Sequence, residues 1–257
     1  MRILVVSDAW QPQVNGVVRT LATVRQELQT MGHDVEIVGP DRFRTLPCPT
    51  YPEIRLAVLP GRRLAGMIDA FAPDAFHIAT EGPLGMAARR HCRRRGLAFT
   101  TAYHTRFPEY VRARLMFPEA WTYALLRGFH RSSSGVMVAT PSIRADLAAR
   151  GFANIRDWTR GVDLDLFHPS KRRDLGLPRP VFAFVGRVAV EKNIEAFLKL
   201  DLPGSKLVVG DGPQLEILKR RHPAVHFAGA QHGEALAGWF ASADAFVFPS
   251  RTDTFGL

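Results

Sequence analysis

Short, uninterrupted apolar runs recur along this chain, each followed by a stretch whose apolar residues fall three or four apart, and that alternation admits few architectures. Residues 2–7 (RILVVS) form the first run. After a loop through Asn15 and Gly16, Val17, Leu21, Val24, Leu28 and Met31 keep helical spacing until Gly32 closes the segment. Residues 34–39 (DVEIVG) supply the next strand. A strand, a helix and a strand in this order imply a parallel sheet. The pattern continues with strands near 54–59, 75–79, 98–103 and 135–139. Between them come a helix carrying Leu64, Met67, Ile68 and Phe71, a basic helix opening near Gly82, and helices at 121–131 and 142–150. One doubly wound α/β domain is predicted over residues 1–165.

Residues 161–169 (GVDLDLFHP), the charged run 170–174 and the proline-rich 177–180 read as a connector. A second series fills residues 175–257, with strands at 180–185 (PVFAFV), 206–210 (KLVVG), 225–228 and 245–248, and helices at 190–200, 213–221 and 234–241. Two Rossmann-like units in tandem are expected. The second lacks a final helix and later strands, and Pro249 to Leu257 begin a loop that opens a helix, so a C-terminal truncation is expected.

With 46% hydrophobic and 23% charged residues, 257 residues suffice to bury full cores without metal or disulfide staples. Cys48 and Cys92 match no metal or redox spacing and read as reduced thiols of a cytosolic protein. The opening MRILVVS is too short for a signal peptide, and no run is long enough to span a membrane. The net charge of +10 is concentrated: from Gly85 to Arg131 there are ten arginines against two acids. Helical spacing places Leu84, Ala87, Ala88 and His91 on one face and Arg89, Arg90 and Arg93 opposite, which predicts a solvated basic face. Such a face can simply keep the protein soluble, or attract anionic lipid or a phosphorylated substrate. Nucleic acid is a third reading, because Tyr103, Phe107 and Tyr110 interleave with arginine, yet no nucleic-acid signature accompanies them.

Several residues fall where strands give way to helices, the edge at which open α/β sheets bind ligands. Gly16 stands at the first such junction, where backbone N–H groups favour an anion; a plain tight turn is the rival account. The dinucleotide fingerprint G-x-G-x-x-G is absent there, which counts against a nicotinamide enzyme. Gly186 and Arg187 end a strand and Lys192 follows five residues later (VGRVAVEKN); two cations there suit a diphosphate, or form an ordinary charged surface. Gly210 and Gly212 (GDGP) mark another strand end, near a nucleotide base or as a turn with Pro213 opening a helix. His104 (YHTRF) can donate to a hydroxyl or phosphate, shuttle a proton, or be an ordinary polar residue. Glu81 can accept from a substrate hydroxyl or cap the helix that follows. No metal site and no covalent nucleophile emerge from the spacings.

Taken jointly, QPQVNGVVRT, YHTRF, TRGVDLDLF, VGRVAVEKN, VVGDGP and FPSRTDTFGL resemble retaining glycosyltransferases of family four, in that family's order and across nearly the whole chain. The resemblance implies the GT-B fold, two Rossmann-like domains facing a cleft, with the second incomplete here. It implies that Gly16 approaches the donor phosphates, that Arg187 and Lys192 hold the diphosphate, and that His104 lies near the transferred sugar. Asp253, two residues before Phe255 and Gly256, matches the first of two acids eight positions apart in the family pattern; the second would fall at position 261. The implied reaction moves a hexose from a nucleotide diphosphate sugar to an acceptor hydroxyl with retention, without metal or other cofactor. GDP-mannose-dependent mannosyltransferases and glycolipid synthases are the most similar members. A lipid acceptor, an anionic membrane surface and a cytoplasmic, membrane-peripheral location follow as expectations. The rival expectation is a catalytically incomplete nucleotide-binding module.

Overall fold

The computed structural model describes residues 1–13, 15–48, 51–106, 108 and 118–250. Contacts divide the chain into two units, Met1–Arg160 and a second that begins at Gly161.

The first unit is built on six parallel strands: β1 (Arg2–Val6), β2 (Asp34–Val38), β5 (Ala75–Ile78), β6 (Thr100–Ala102), β7 (Gly135–Val138) and β8 (Ile155–Asp157), in the spatial order β2-β1-β5-β6-β7-β8. Its helices are α1 (Gly16–Thr30), α2 (Gly61–Phe71), α3 (Pro83–Arg95), α4 (Glu119–His130) and α5 (Pro141–Ala149). The unbroken apolarity of β1 has a direct cause, since both faces of the strand are covered. Leu4 and Val6 pack with Leu64, Ile68 and Leu84 of α2 and α3, whereas Val5 packs with Val18 and Leu21 of α1.

The expected strand near 54–59 takes a different place. It is β4 (Tyr51–Ala57), paired antiparallel with β3 (Thr45–Cys48) in a separate two-stranded ribbon. Pro47 and Pro52 supply no N–H to a ladder, which suits an outlying ribbon better than a sheet interior. Strand β8 was not anticipated.

The basic face of α3 is also divided. Arg90, Arg93 and Arg94 are exposed, but Arg89 turns onto α4, donating to the carbonyls of Phe129 (2.8 Å) and Gly128 (2.7 Å) with its guanidinium over the Phe129 ring. Those carbonyls lie in the last turn of α4, where intrahelical partners run out. Arg95 pairs with Asp69 at 2.8 Å. Phe107 and Tyr110 lie outside the described residues.

The second unit has four parallel strands, β9 (Val181–Val185), β10 (Ser205–Val209), β11 (His226–Gly229) and β12 (Ala245–Phe246), in the order β11-β10-β9-β12. Val181 and Ala183 pack with Leu236 of α8 (Gly233–Ser242). Phe184 packs on the other side with Ile194, Phe197 and Leu218 from α6 (Ile194–Leu198) and α7 (Leu215–Arg221). The helix expected over 190–200 is interrupted: a 3-10 turn covers Val190–Lys192, and Asn193 takes a left-handed conformation (φ +53°) before α6. Helix α7 begins at Leu215, so Pro213 belongs to the preceding turn. Among the described residues no helix is long and apolar enough to cross a membrane.

Candidate functional site

In each sheet one strand sends its following connection to one side while a later strand joins on the other, and ligands of open α/β sheets lie at the carboxyl ends of such strands. In the first unit the divergence falls between β1 and β5; in the second it falls at β9.

At the first edge, Asp8 lies two residues past the end of β1 and is buried. Its Oδ1 accepts from the Leu84 N–H at 2.8 Å, and its Oδ2 accepts from the Thr80 hydroxyl at 2.8 Å and the Gly85 N–H at 3.3 Å. The Asp8 N–H donates to Thr80 Oγ1 at 2.6 Å. Burial pushes this carboxyl above the ordinary aspartate range, opposed by the hydrogen bonds from Leu84, Thr80 and Gly85, while the Glu81 charge adds to the rise. Asp8 is therefore the cap of α3, the role offered as the rival account for Glu81.

Glu81 points instead to His130: Oε1 lies 3.2 Å from Nε2, and Nδ1 of that ring lies 2.9 Å from Thr101 Oγ1. His130 is enclosed by the rings of Tyr103, Phe129 and Phe152.

Gly16 is the first residue of α1 and is exposed; the preceding Asn15 caps the helix, its Oδ1 accepting from the N–H groups of Val17 and Val18, each at 3.0 Å. One turn on, the Thr20 hydroxyl donates to the Gly16 carbonyl at 2.8 Å and accepts from Arg160 Nη1. The other arm of the same guanidinium, Nη2, donates to His104 Nδ1 at 2.7 Å. Two residues selected separately from the sequence, Gly16 and His104, are thus joined through Thr20 and Arg160.

The His104 ring is buried beside the Trp158 indole (centroids 5.8 Å apart), whose far neighbour is His77 at 5.7 Å. Burial, reinforced by the Arg160 charge and by His77, holds His104 well below the usual histidine range. His77, bonded to Thr100 Oγ1 at 2.8 Å, is lowered to about 4 by burial.

In the second unit Gly186 and Arg187 follow β9 immediately, and Arg187 is exposed. The loop after β9 is laced to the loop after β10 by the Val188 N–H to the Asp211 carbonyl (2.8 Å) and the Gln214 N–H to the Val188 carbonyl (3.1 Å). Gly210 and Gly212 permit this approach. With φ of +148° and +154°, their missing Cβ atoms would lie 1.8 Å from the Gly186 carbonyl oxygen and 2.4 Å from that of Val188. Packing of loop on loop accounts for both glycines. Lys192 closes the 3-10 turn, and the Asn193 side chain behind it donates to the Pro249 carbonyl at 3.3 Å. That bond ties the cation-bearing loop to the segment leading toward Asp253, Phe255 and Gly256, which lie outside the described residues. Among the described residues no three His, Cys, Asp or Glu side chains converge as metal ligands.

Sequence reasoning passed over Asp8, His77, His130, Trp158 and Arg160. Asp8 stands at a strand end, the signal that selected Glu81 and His104. Arg160 lay within the quoted TRGVDLDLF without a role.

The model of Glycosyltransferase Family 4 matches residues 14–166, and that of the group 1 glycosyl transferases matches 179–257. A GDP-mannose-dependent alpha-mannosyltransferase of Mycolicibacterium smegmatis is 30% identical over 99% of this chain and 75% of its own. An alpha-monoglucosyldiacylglycerol synthase of Streptococcus pneumoniae is 27% identical over 100% of this chain and 68% of its own. A sucrose-phosphate synthase structure from Thermosynechococcus elongatus superposes with a TM-score of 0.74 at 20% identity, covering 100% of this chain and 77% of the other; the shared fold is GT-B.

Proposed function

Since the chain belongs to glycosyltransferase family 4, we propose that it transfers a hexosyl group, with mannose from GDP-mannose as the first candidate and UDP-sugars as the next, to a hydroxyl of a lipid acceptor with retention at the anomeric carbon. The observation that carries this reading is the placement of Gly186 and Arg187 at the carboxyl end of β9, the strand where the second sheet's connections diverge. Lys192 follows in the adjoining turn. In this reading Arg187 grips the donor diphosphate as a planar fork and Lys192 as a point charge. Their attraction grows as the nucleotide diphosphate leaves and its charge develops, which is the condition for a contact to raise kcat. Gly16 opens α1 toward the phosphates, His104 donates to the sugar, and Asp253, Phe255 and Gly256 keep the roles that the family pattern implies.

The donor reading has support from the mannosyltransferase relative, and the lipid acceptor from the diacylglycerol glycoside synthase. The exposed Arg90, Arg93 and Arg94 suit an anionic membrane surface. Arg89 belongs to the α3–α4 contact and is left out of that set.

A donor panel assayed for nucleotide diphosphate release in the presence of lipid acceptors tests the reading, with GDP-mannose expected to turn over. Arg187→Ala and Lys192→Ala should each lower kcat by about 10- to 100-fold, and the double variant by about 10²- to 10⁴-fold. Release unaffected by both changes would sink it. A module that holds nucleotide without turnover is the second reading; calorimetry showing GDP binding with no transfer would select it.

A further inference from the structure

We propose that Arg160 is a positioning residue that fixes His104 as the Nε2–H tautomer, so that the ring serves the sugar donor as a neutral hydrogen-bond donor and takes no part in proton transfer. This rests on the transferase reading above for the identity of the ligand, but the tautomer itself rests on geometry alone. A guanidinium has only N–H groups to offer and cannot accept. At 2.7 Å from Arg160 Nη2, His104 Nδ1 must present its lone pair, and the ring proton is left to Nε2. An imidazolium would bring an N–H and a second positive charge against the guanidinium in a buried position, where like charges are least screened.

Arg160 is held to this task from the other side. Its Nη1 is bonded to Thr20 Oγ1, whose hydroxyl donates to the Gly16 carbonyl, so the fork is anchored on the first turns of α1. The Trp158 indole stands beside the ring of His104 at an interplanar angle of 56°, with His77 beyond it. Burial keeps His77 neutral in the physiological range, and the cation bonded to His104 is Arg160. The sequence allows either proton shuttling or hydrogen-bond donation by His104; this arrangement retains only the second.

The test is nitrogen NMR of the whole chain with labelled histidine, the His104→Asn spectrum identifying the resonance. In the wild type Nδ1 should resonate as the bare nitrogen and Nε2 as the protonated one throughout neutral pH. Arg160→Met should give mixed tautomers and a ring that protonates closer to the ordinary histidine value. Its kcat should fall by about 10- to 100-fold with little change in KM for the donor. Arg160→Lys, which still donates to Nδ1, should recover the tautomer and part of the rate. An Nδ1–H tautomer in the wild type, or an unchanged tautomer in Arg160→Met, overturns the proposal, as does a defect confined to KM. If the wild type transfers no sugar, the transferase reading falls and the spectra alone decide the Arg160–His104 pairing. Should Arg160→Met fail to fold, the wild-type and Arg160→Lys spectra carry the decision.

Discussion

His77 is lowered to about 4 by burial. The unfolded chain takes up a proton at this position below about 6.5, the folded protein only near 4, so between those values the unfolded state binds more protons and stability is lost as the pH is lowered. At about pH 5 this ring alone accounts for a loss of at most about 2 kcal/mol relative to neutral pH. Urea unfolding of His77→Phe should show the acid-side loss reduced by about that amount, and an identical loss in both proteins would mean that the ring is solvated. Asp8 offers a second test. Asp8→Ala strips acceptors from the Leu84 and Gly85 N–H groups and the Thr80 hydroxyl, and thermal unfolding should reveal a cost of about 2–4 kcal/mol, with Asp8→Asn recovering part of it. The placement of single residues was legible where a strand end marked it, as with Glu81, His104 and Arg187 just past β5, β6 and β9. Partnership was not: Arg160 lies 56 positions from His104, and Asp8 lies 76 from Leu84. No local pattern encodes a bond between residues that only the sheet order brings together.

Contacts between elements explain what periodicity missed. The loops after β9 and β10 are in backbone contact, so Gly210→Ala forces a Cβ into the Gly186 carbonyl at a φ that other residues avoid. Its expected cost is about 2–4 kcal/mol by chemical denaturation, and Gly212→Ala should behave alike; wild-type stability in either would mean that the loops part without penalty. On the α3–α4 contact, Arg89→Ala should cost about 1–3 kcal/mol because two carbonyls of α4 lose their donors, whereas Arg90→Ala should stay within about 0.5 kcal/mol. Equal effects of the two would dissolve the distinction between a bracing and a solvated arginine. The alternation of strands and helices was readable because buried parallel strands are apolar without a break. Strand β4 was taken for a strand of the main sheet, and β3 was missed, because Ile54, Leu56 and Ala57 look alike in either setting; Pro47 and Pro52 were the overlooked signal. The break at Asn193 was invisible, since Val190, Ile194 and Phe197 keep helical spacing through it.

At the scale of the molecule, two parallel-sheet units follow one another and a net charge of +10 is gathered largely on the first. Attraction between that charge and anionic vesicles should weaken steeply as salt shortens the screening length to about 8 Å near physiological strength. Replacing Arg90, Arg93 and Arg94 together by Glu should lower vesicle binding at least about tenfold at low salt, at roughly 1 kcal/mol per charge; sedimentation with anionic vesicles that finds no change would remove the membrane from the account. The carboxylate set at the head of α3 has a consequence for traffic along the first sheet's edge. Of the helices that open there, α1 and α3 are electrically unequal: α3 meets an incoming phosphate with Asp8 already in place and Glu81 just before Gly82, where the helix begins, while α1 is capped by the uncharged amide of Asn15. An anion approaching that edge would meet the weaker repulsion at α1, the helix that Gly16 begins.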